Sequence, residues 1–166
     1  MDILIRTYRS EDRGALEQCM RDLMTYLSSI DPLGRIRQSK DFDSLAYVTH
    51  LCEQIEKDDG IVYMAENNGK TVGCIAGCLV TRAPVDHLEV YPLEKKDGKI
   101  LELVVSSDVR GRGIGGLLME KMEQYFLTKE CGAIQVECFG PNAHAHAFYE
   151  RHGYADRLHL LIKKMQ

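Results

Sequence analysis

The sequence predicts a mixed α/β protein, a central mixed β-sheet flanked by helices. Three observations carry that expectation. The apolar run from Ile100 to Val105 is bounded by Asp97-Gly98 and by Ser106-Ser107-Asp108, the mark of a short buried strand. After a glycine-rich loop, apolar residues recur at Ile114, Leu117, Leu118, Met122, Tyr125 and Phe126, which is helical spacing on one face. The element order, β-α-α-β-β-β-α-β-α-β, departs from the regular alternation of a doubly wound sheet.

Each element has its own signal. Residues 3–8 alternate as a strand, and Ser10-Glu11-Asp12 offers an N-cap and an acidic first turn. Leu16, Met20, Leu23, Met24 and Leu27 form the stripe of a first helix, which Asp31-Pro32-Leu33-Gly34 ends. Residues 31–40 have no period and read as a loop. Asp43 caps a second helix to about Lys57, with Leu45, Val48, Leu51, Cys52 and Ile55 inward. Strands at 61–66 and 71–81 flank Asn67-Asn68-Gly69-Lys70, which has hairpin-turn chemistry. Gly73 and Gly77 weaken or bulge the second of them. Residues 83–97 are irregular, with room for a short hairpin. A strand at 133–139, a short helix at 142–152 and a last strand at 158–163 complete the order.

Composition narrows the function. At 166 residues, 45% hydrophobic and 28% charged, the chain is expected to be a single globular domain spanning 1–166. Its net charge of −4 argues against nucleic acid as the main partner. No apolar stretch approaches membrane-spanning length, so no membrane partner is expected. The six cysteines lie inside periodic segments, which suits free thiols in a reducing cytoplasm.

The loop Arg110-Gly111-Arg112-Gly113-Ile114-Gly115-Gly116 joins strand to helix. Glycines leave backbone N–H groups bare, and the helix start adds unpaired N–H groups and the positive end of its dipole. Such a turn suits phosphate, with Arg110 and Arg112 at its rim. Gly111-x-Gly113-x-x-Gly116 also fits a dinucleotide fingerprint, but the strand ends several residues too early and too little chain follows for the two-half nucleotide fold. A P-loop lacks its Lys-Ser/Thr. A glycine turn with no ligand is the plain alternative.

Arg110-x-x-Gly113-x-Gly115 resembles the acetyl-coenzyme A loop of the GCN5-related N-acetyltransferases (GNAT). Asn142, Ala145, Phe148, Tyr149, Gly153 and Tyr154 resemble that family's second conserved stretch, in the right order. The resemblance covers nearly the whole chain and implies the GNAT acyl-CoA fold. It also implies acetyl transfer from acetyl-CoA to a primary amine of a small molecule, or to an amino terminus, by direct attack. By that resemblance the backbone N–H groups of Arg112, Gly113, Ile114, Gly115 and Gly116 hold the pyrophosphate, with Arg110 and Gly111 completing the loop. Leu103, Val104 and Val105 pair through backbone with the pantetheine arm, and an N–H near Val104 or Val105 faces the thioester oxygen. Asn142 and Phe148 also touch the cofactor, although Asn142 suits an N-cap equally well. Tyr149 is the candidate general acid and Glu102 the candidate base, or else a counter-charge to a cationic acceptor.

Other readings are weaker. His144 and His146 stand two apart, so on a helix they face apart, and no metal is expected. An acceptor cleft between the first two helices and residues 83–97 is expected to carry Asp31, Asp41, Asp43, Asp86, Glu89 and Glu94, with Arg35, Arg37 and Lys40 opposing that charge. A non-catalytic acyl-CoA sensor and, less favoured, a nicotinamide-dependent enzyme are the alternatives. The resemblance allows a homodimer, since many relatives pair.

Overall fold

The structure, a computed structural model, describes residues 2–81 and 96–165. Its elements are β1 (Ile3–Thr7), α1 (Arg13–Ile30), α2 (Ser44–Lys57), β2 (Ile61–Asn67), β3 (Lys70–Val80), β4 (Asp97–Val105), α3 (Ile114–Thr128), β5 (Ala133–Val136) and α4 (Ala143–Arg151). The sheet order is β1-β2-β3-β4-β5, antiparallel throughout except for the parallel pair β4–β5. It is the expected mixed sheet with flanking helices. The chain divides into two compact units, Met1–Met20 with Asp43–Glu137, and Arg21–Phe42 with Cys138–Gln166.

In the first unit, local chemistry sets the turns. Asn68 and Gly69 both have positive φ, at 51° and 76°, and close a two-residue hairpin with Asn67 opposite Lys70. Asp43 accepts the Ala46 N–H at 2.9 Å and caps α2. At the start of α1 the capping group is Asp12, not Ser10. Its carboxylate accepts the Arg9 N–H at 2.7 Å and pairs with Arg6, which also binds Glu66.

Helix α3 packs on one face of the sheet. Its buried residues are Ile114, Leu118, Met119, Met122 and Phe126, while Leu117 stays 42% exposed. Glycines make this packing close. A Cβ on Gly98 would lie 2.5–2.7 Å from the Phe126 ring, and one on Gly77 would lie 2.9 Å from Met122 Sδ and from Phe126 Cζ. The opposite face is covered by the first half of α1, through Leu16, Cys19 and Met20, and by α2, through Val48 and Leu51. Arg13 ties the two helices, donating to Thr49 Oγ1 at 2.6 Å. Leu45, expected inward, is 59% exposed, because the burial stripe of α2 begins at Ser44 and continues through Val48 and Leu51.

The register shifts twice, each time beside one of the two strand glycines. Ala65 faces Gly73 but Glu66 faces Thr71, and Ala76 faces Glu102 but Gly77 faces Ile100. Leu101 is therefore an extra residue in β4, a β-bulge. Paired residues share a face and neighbours alternate, so Gly98 and Ile100 point toward α3, whereas Lys99 and Glu102 point to the other side.

Two expected strands differ. The 133–139 strand stops at Val136, where its pairing with β4 ends. Residues 158–163 form no strand. Among the described residues this segment has no ladder partner, and Leu158, Leu160 and Leu161 are 87–90% exposed. Alternating apolar residues make a strand only where another strand meets their N–H and C=O groups. Most of residues 83–97, with the hairpin expected there, lies outside the described residues.

Gly98→Ala tests the close packing. We expect a loss of about 1–3 kcal/mol in urea unfolding, the usual cost of forcing an extra carbon into a packed core. A compensating Phe126→Leu in the same chain should return part of it. An unchanged midpoint would show that α3 does not depend on this contact.

Candidate functional site

In the first unit, β4 runs out toward the glycine loop. Its pairing with β5 covers only Asp97 to Ile100, while its pairing with β3 continues to Val105 opposite Gly73. From Leu101 onward the β5-side edge of β4 thus has no strand beside it among the described residues. Backbone groups along such an edge need a partner. One is already met, since Arg110 Nε donates to the Val105 carbonyl at 3.0 Å.

A short 3₁₀ turn over Ser107–Val109 leads from β4 into the loop. Gly111 and Gly113 have φ of 74° and 81°, the left-handed region that glycine enters without strain. A Cβ at either would meet nothing within 4 Å, so glycine serves the backbone conformation and leaves open space. Gly113 is the N-cap of α3 and no side chain caps the helix there. Leu117 N–H makes the first bond, to the Gly113 carbonyl at 3.1 Å. The N–H groups of Ile114, Gly115 and Gly116 precede it and point out of the helix start. Arg110 and Arg112 are exposed beside them. Bare donors, a helix dipole and open space fit the phosphates of a nucleotide-bearing cofactor.

On the other side of the sheet, α2 and the start of β4 enclose a pocket of about 220 Å³. Tyr47, His50, Leu51 and Gln54 line it from α2, and Lys99, Ile100, Leu101 and Glu102 from β4, with Glu137 at its edge. Lys99 Nζ pairs with Glu137 at 2.6 Å. The Tyr47 hydroxyl donates to Glu102 Oε1. Burial raises the Glu102 carboxyl to about 7, and the Tyr47 hydrogen bond offsets part of that rise. Burial, then the Glu102 charge, push the Tyr47 phenol above its ordinary value. Tyr47 escaped the sequence reading. The only trace was its place three residues after Ser44 and four before Leu51, on the inward side of α2.

In the second unit, Asn142 caps α4, its Oδ1 accepting the Ala145 N–H at 3.2 Å and the Tyr26 hydroxyl at 3.3 Å. Phe148 and Tyr149 stand edge to face at 5.5 Å, and Tyr149 meets Tyr154 at 5.8 Å. His146 Nε2 lies 2.7 Å from Asp156 Oδ1, and that pairing raises its proton affinity. His144 is exposed. Among the described residues no group of three His, Cys, Asp or Glu could hold a metal.

Two of the carboxylates expected in an acidic cleft serve the backbone instead, and Asp41 is exposed. Asp31 accepts the backbone N–H groups of Leu33, Arg35 and Ile36 at 2.6–2.9 Å, and these bonds hold it below the usual carboxylate range. Asp43 is the α2 cap. Asp86, Glu89 and Glu94 lie outside the described residues. All six cysteines are free, and no helix among the described residues is long and apolar enough to cross a membrane.

The family model of the acetyltransferase (GNAT) family matches residues 18–154. An uncharacterized N-acetyltransferase of Archaeoglobus fulgidus is 32% identical over 141 residues, covering 85% of this chain and 87% of its own. Another, from Methanocaldococcus jannaschii, is 33% identical over 57% of this chain, which spans about half of that relative, 53% of its length. Among solved structures, a mutant of the Bacillus halodurans protein BH1408 superposes with a TM-score of 0.83 at 17% identity, covering 98% of this chain and 99% of its own. A GNAT family acetyltransferase of Staphylococcus aureus superposes at 0.64 with 18% identity, over 99% of this chain and all of its own. At those identities the structures speak for the fold.

The cap on α4 makes a local prediction. Asn142→Ala should weaken the helix by about 1 kcal/mol, seen as faster hydrogen exchange at the Ala145 amide, while Asn142→Asp keeps protection. Equal exchange in all three proteins would remove the capping role.

Proposed function

The chain belongs to the acetyltransferase (GNAT) family, and from that premise we propose that it moves an acetyl group from acetyl-CoA to a primary amine of a small molecule, or to an amino terminus, by direct attack. The observation that carries the reading is the end of β4. There the strand loses its β5 partner at Ile100 and runs into a loop whose amides open the α3 helix. An extended, amide-bearing arm fits the open edge, and a pyrophosphate fits the uncapped amides.

When bound, acetyl-CoA supplies an acetyl group activated as a thioester. The chain does the rest. The N–H groups of Gly113, Ile114, Gly115 and Gly116, with Arg112, hold negative charge. Backbone groups of Leu103 and Val104 orient the arm, and an N–H near Val104 or Val105 stabilises the oxyanion. Glu102, on the pocket side of β4, takes a proton from the acceptor's ammonium group. With its carboxyl raised to about 7, it is a stronger base than an ordinary carboxylate and still ionises near neutral pH. Tyr149 is assigned the general acid: as the C–S bond breaks its hydroxyl would give a proton to the leaving thiolate and regain one from the acceptor nitrogen, which loses its second proton as the amide forms, with Asn142 and Phe148 as flanking contacts. A reducing cytoplasm suits six free thiols.

Thermal unfolding with separate ligands tests the binding step. A hundredfold excess of acetyl-CoA over its Kd adds about 2.7 kcal/mol, or roughly 5–11 °C in Tm for a chain of this size. NAD should leave Tm unchanged, and Arg112→Glu should shrink the acetyl-CoA shift without moving the apo Tm. A shift with NAD alone would defeat the reading.

Turnover is tested by release of free CoA thiol across a panel of amines. The base must be unprotonated to act, so kcat/KM should rise with pH through about 7 and then level. Tyr149→Phe should lower kcat roughly 10–1,000-fold with acetyl-CoA affinity little changed. Binding without thiol release on any amine would mark a sensor instead of an enzyme.

A further inference from the structure

We propose that Tyr47 is a positioning residue whose hydroxyl holds the Glu102 carboxylate in the α2-side pocket, in the orientation from which it takes the acceptor's proton. This rests on the reading of Glu102 as base. Four observations from the first unit carry it.

First, the Tyr47 hydroxyl donates to Glu102 Oε1, and the two residues line one pocket across the gap between α2 and β4. Second, the Leu101 bulge is what brings Glu102 to that side, since unbroken alternation from Gly98 and Ile100 would turn it toward α3. On that side a tyrosine from the facing helix supplies the hydrogen bond that orients the carboxylate. Third, α2 is held firmly where Tyr47 leaves it. Asp43 caps the preceding turn, Val48 is fully buried, and Arg13 of α1 reaches Thr49 and the Leu45 carbonyl. The hydroxyl is therefore presented from a rigid element. Fourth, a phenol in this place has one proton to give. While it donates to Glu102 it favours the ionised carboxylate and leaves the other oxygen for the acceptor.

The surroundings of Glu102 favour no other partner for this task. From α2, His50 lies at the exposed pocket rim. From β4, Lys99 is paired with Glu137, which follows β5. From β3, the buried Cys74 thiol shares a hydrogen bond with the free Cys19 thiol of α1, a contact that with burial raises its proton affinity and keeps it neutral. Tyr47 alone among these groups makes a described hydrogen bond to the carboxylate.

The experiment compares wild type, Tyr47→Phe and Glu102→Gln in full pH profiles of kcat/KM, alongside infrared titration of the Glu102 carboxyl band, isolated by subtracting the Glu102→Gln spectrum. In Tyr47→Phe the acidic limb should move to higher pH. We expect kcat/KM near neutrality to fall about tenfold, the scale of one lost hydrogen bond to a charged group, and to recover at alkaline pH. The infrared titration should move in the same direction without any substrate present. A uniform loss at every pH, with the carboxyl band unmoved, would show a structural tyrosine and overturn the proposal. A Tyr47→Phe profile that superposes on wild type while Glu102→Gln is inactive overturns it too, leaving the base in place. Full activity in Glu102→Gln would instead remove the base, and the positioning role with it.

Discussion

The closeness of α3 to the sheet is the constraint on which the rest of the first unit depends. Phe126 lies where a Cβ on Gly98 or Gly77 would stand, so the helix axis can approach only because those strand positions are bare. That contact fixes the far end of α3, and rigidity of the helix carries the constraint back from Phe126 to its first turn at Ile114. There the chain must leave β4, turn through Gly111 and Gly113, and begin coiling beside the strand's unpaired edge. Glycine thus serves two separate ends: absence of bulk under the helix and left-handed backbone before it.

One strand then does three jobs. The α3-facing residues of β4, Gly98 and Ile100, belong to the core. Its backbone beyond Ile100 is open on one edge, and its polar residues Lys99 and Glu102 point into the pocket. Core, edge and pocket are thus divided largely between side-chain directions and backbone direction, with Ile100 shared by core and pocket wall. The cost is a carboxylate held against apolar walls, which the Tyr47 hydroxyl partly offsets.

Much of this was legible in the sequence because it is local. The hairpin at Asn68-Gly69, the cap at Asp43, the helical stripe from Ile114 and the glycine loop are each written in a few adjacent residues whose conformational demands are strong. What was hidden is long-range. Tyr47 and Glu102 are 55 residues apart, and nothing near either announces the other. The expected strand at 158–163 failed for the same reason: its alternation is a local fact, but a ladder requires a second strand. Gly73 and Gly77 did mark where the register slips. Yet at the second slip the surplus residue belongs to the facing strand, which the glycine could not reveal. Asp31 differs in another way: its charge is plain in the sequence, but the three backbone amides of its own turn that it accepts are not.

The Leu101 bulge makes this stretch sensitive to register and indifferent to the loss of one particular residue. Excising Leu101 would set Glu102 directly after Ile100, still opposite Ala76, and leave a regular ladder with every later side chain on its present side. Keeping Leu101 and pairing it with Ala76 would instead slide the rest of β4 by one place, turning Glu102 and Val104 toward α3. A chain zipped up one place out of step would look well folded by every bulk measure and still have its chemistry on the wrong side of the sheet. One surplus residue, held out of the ladder, encodes which side can carry a charge.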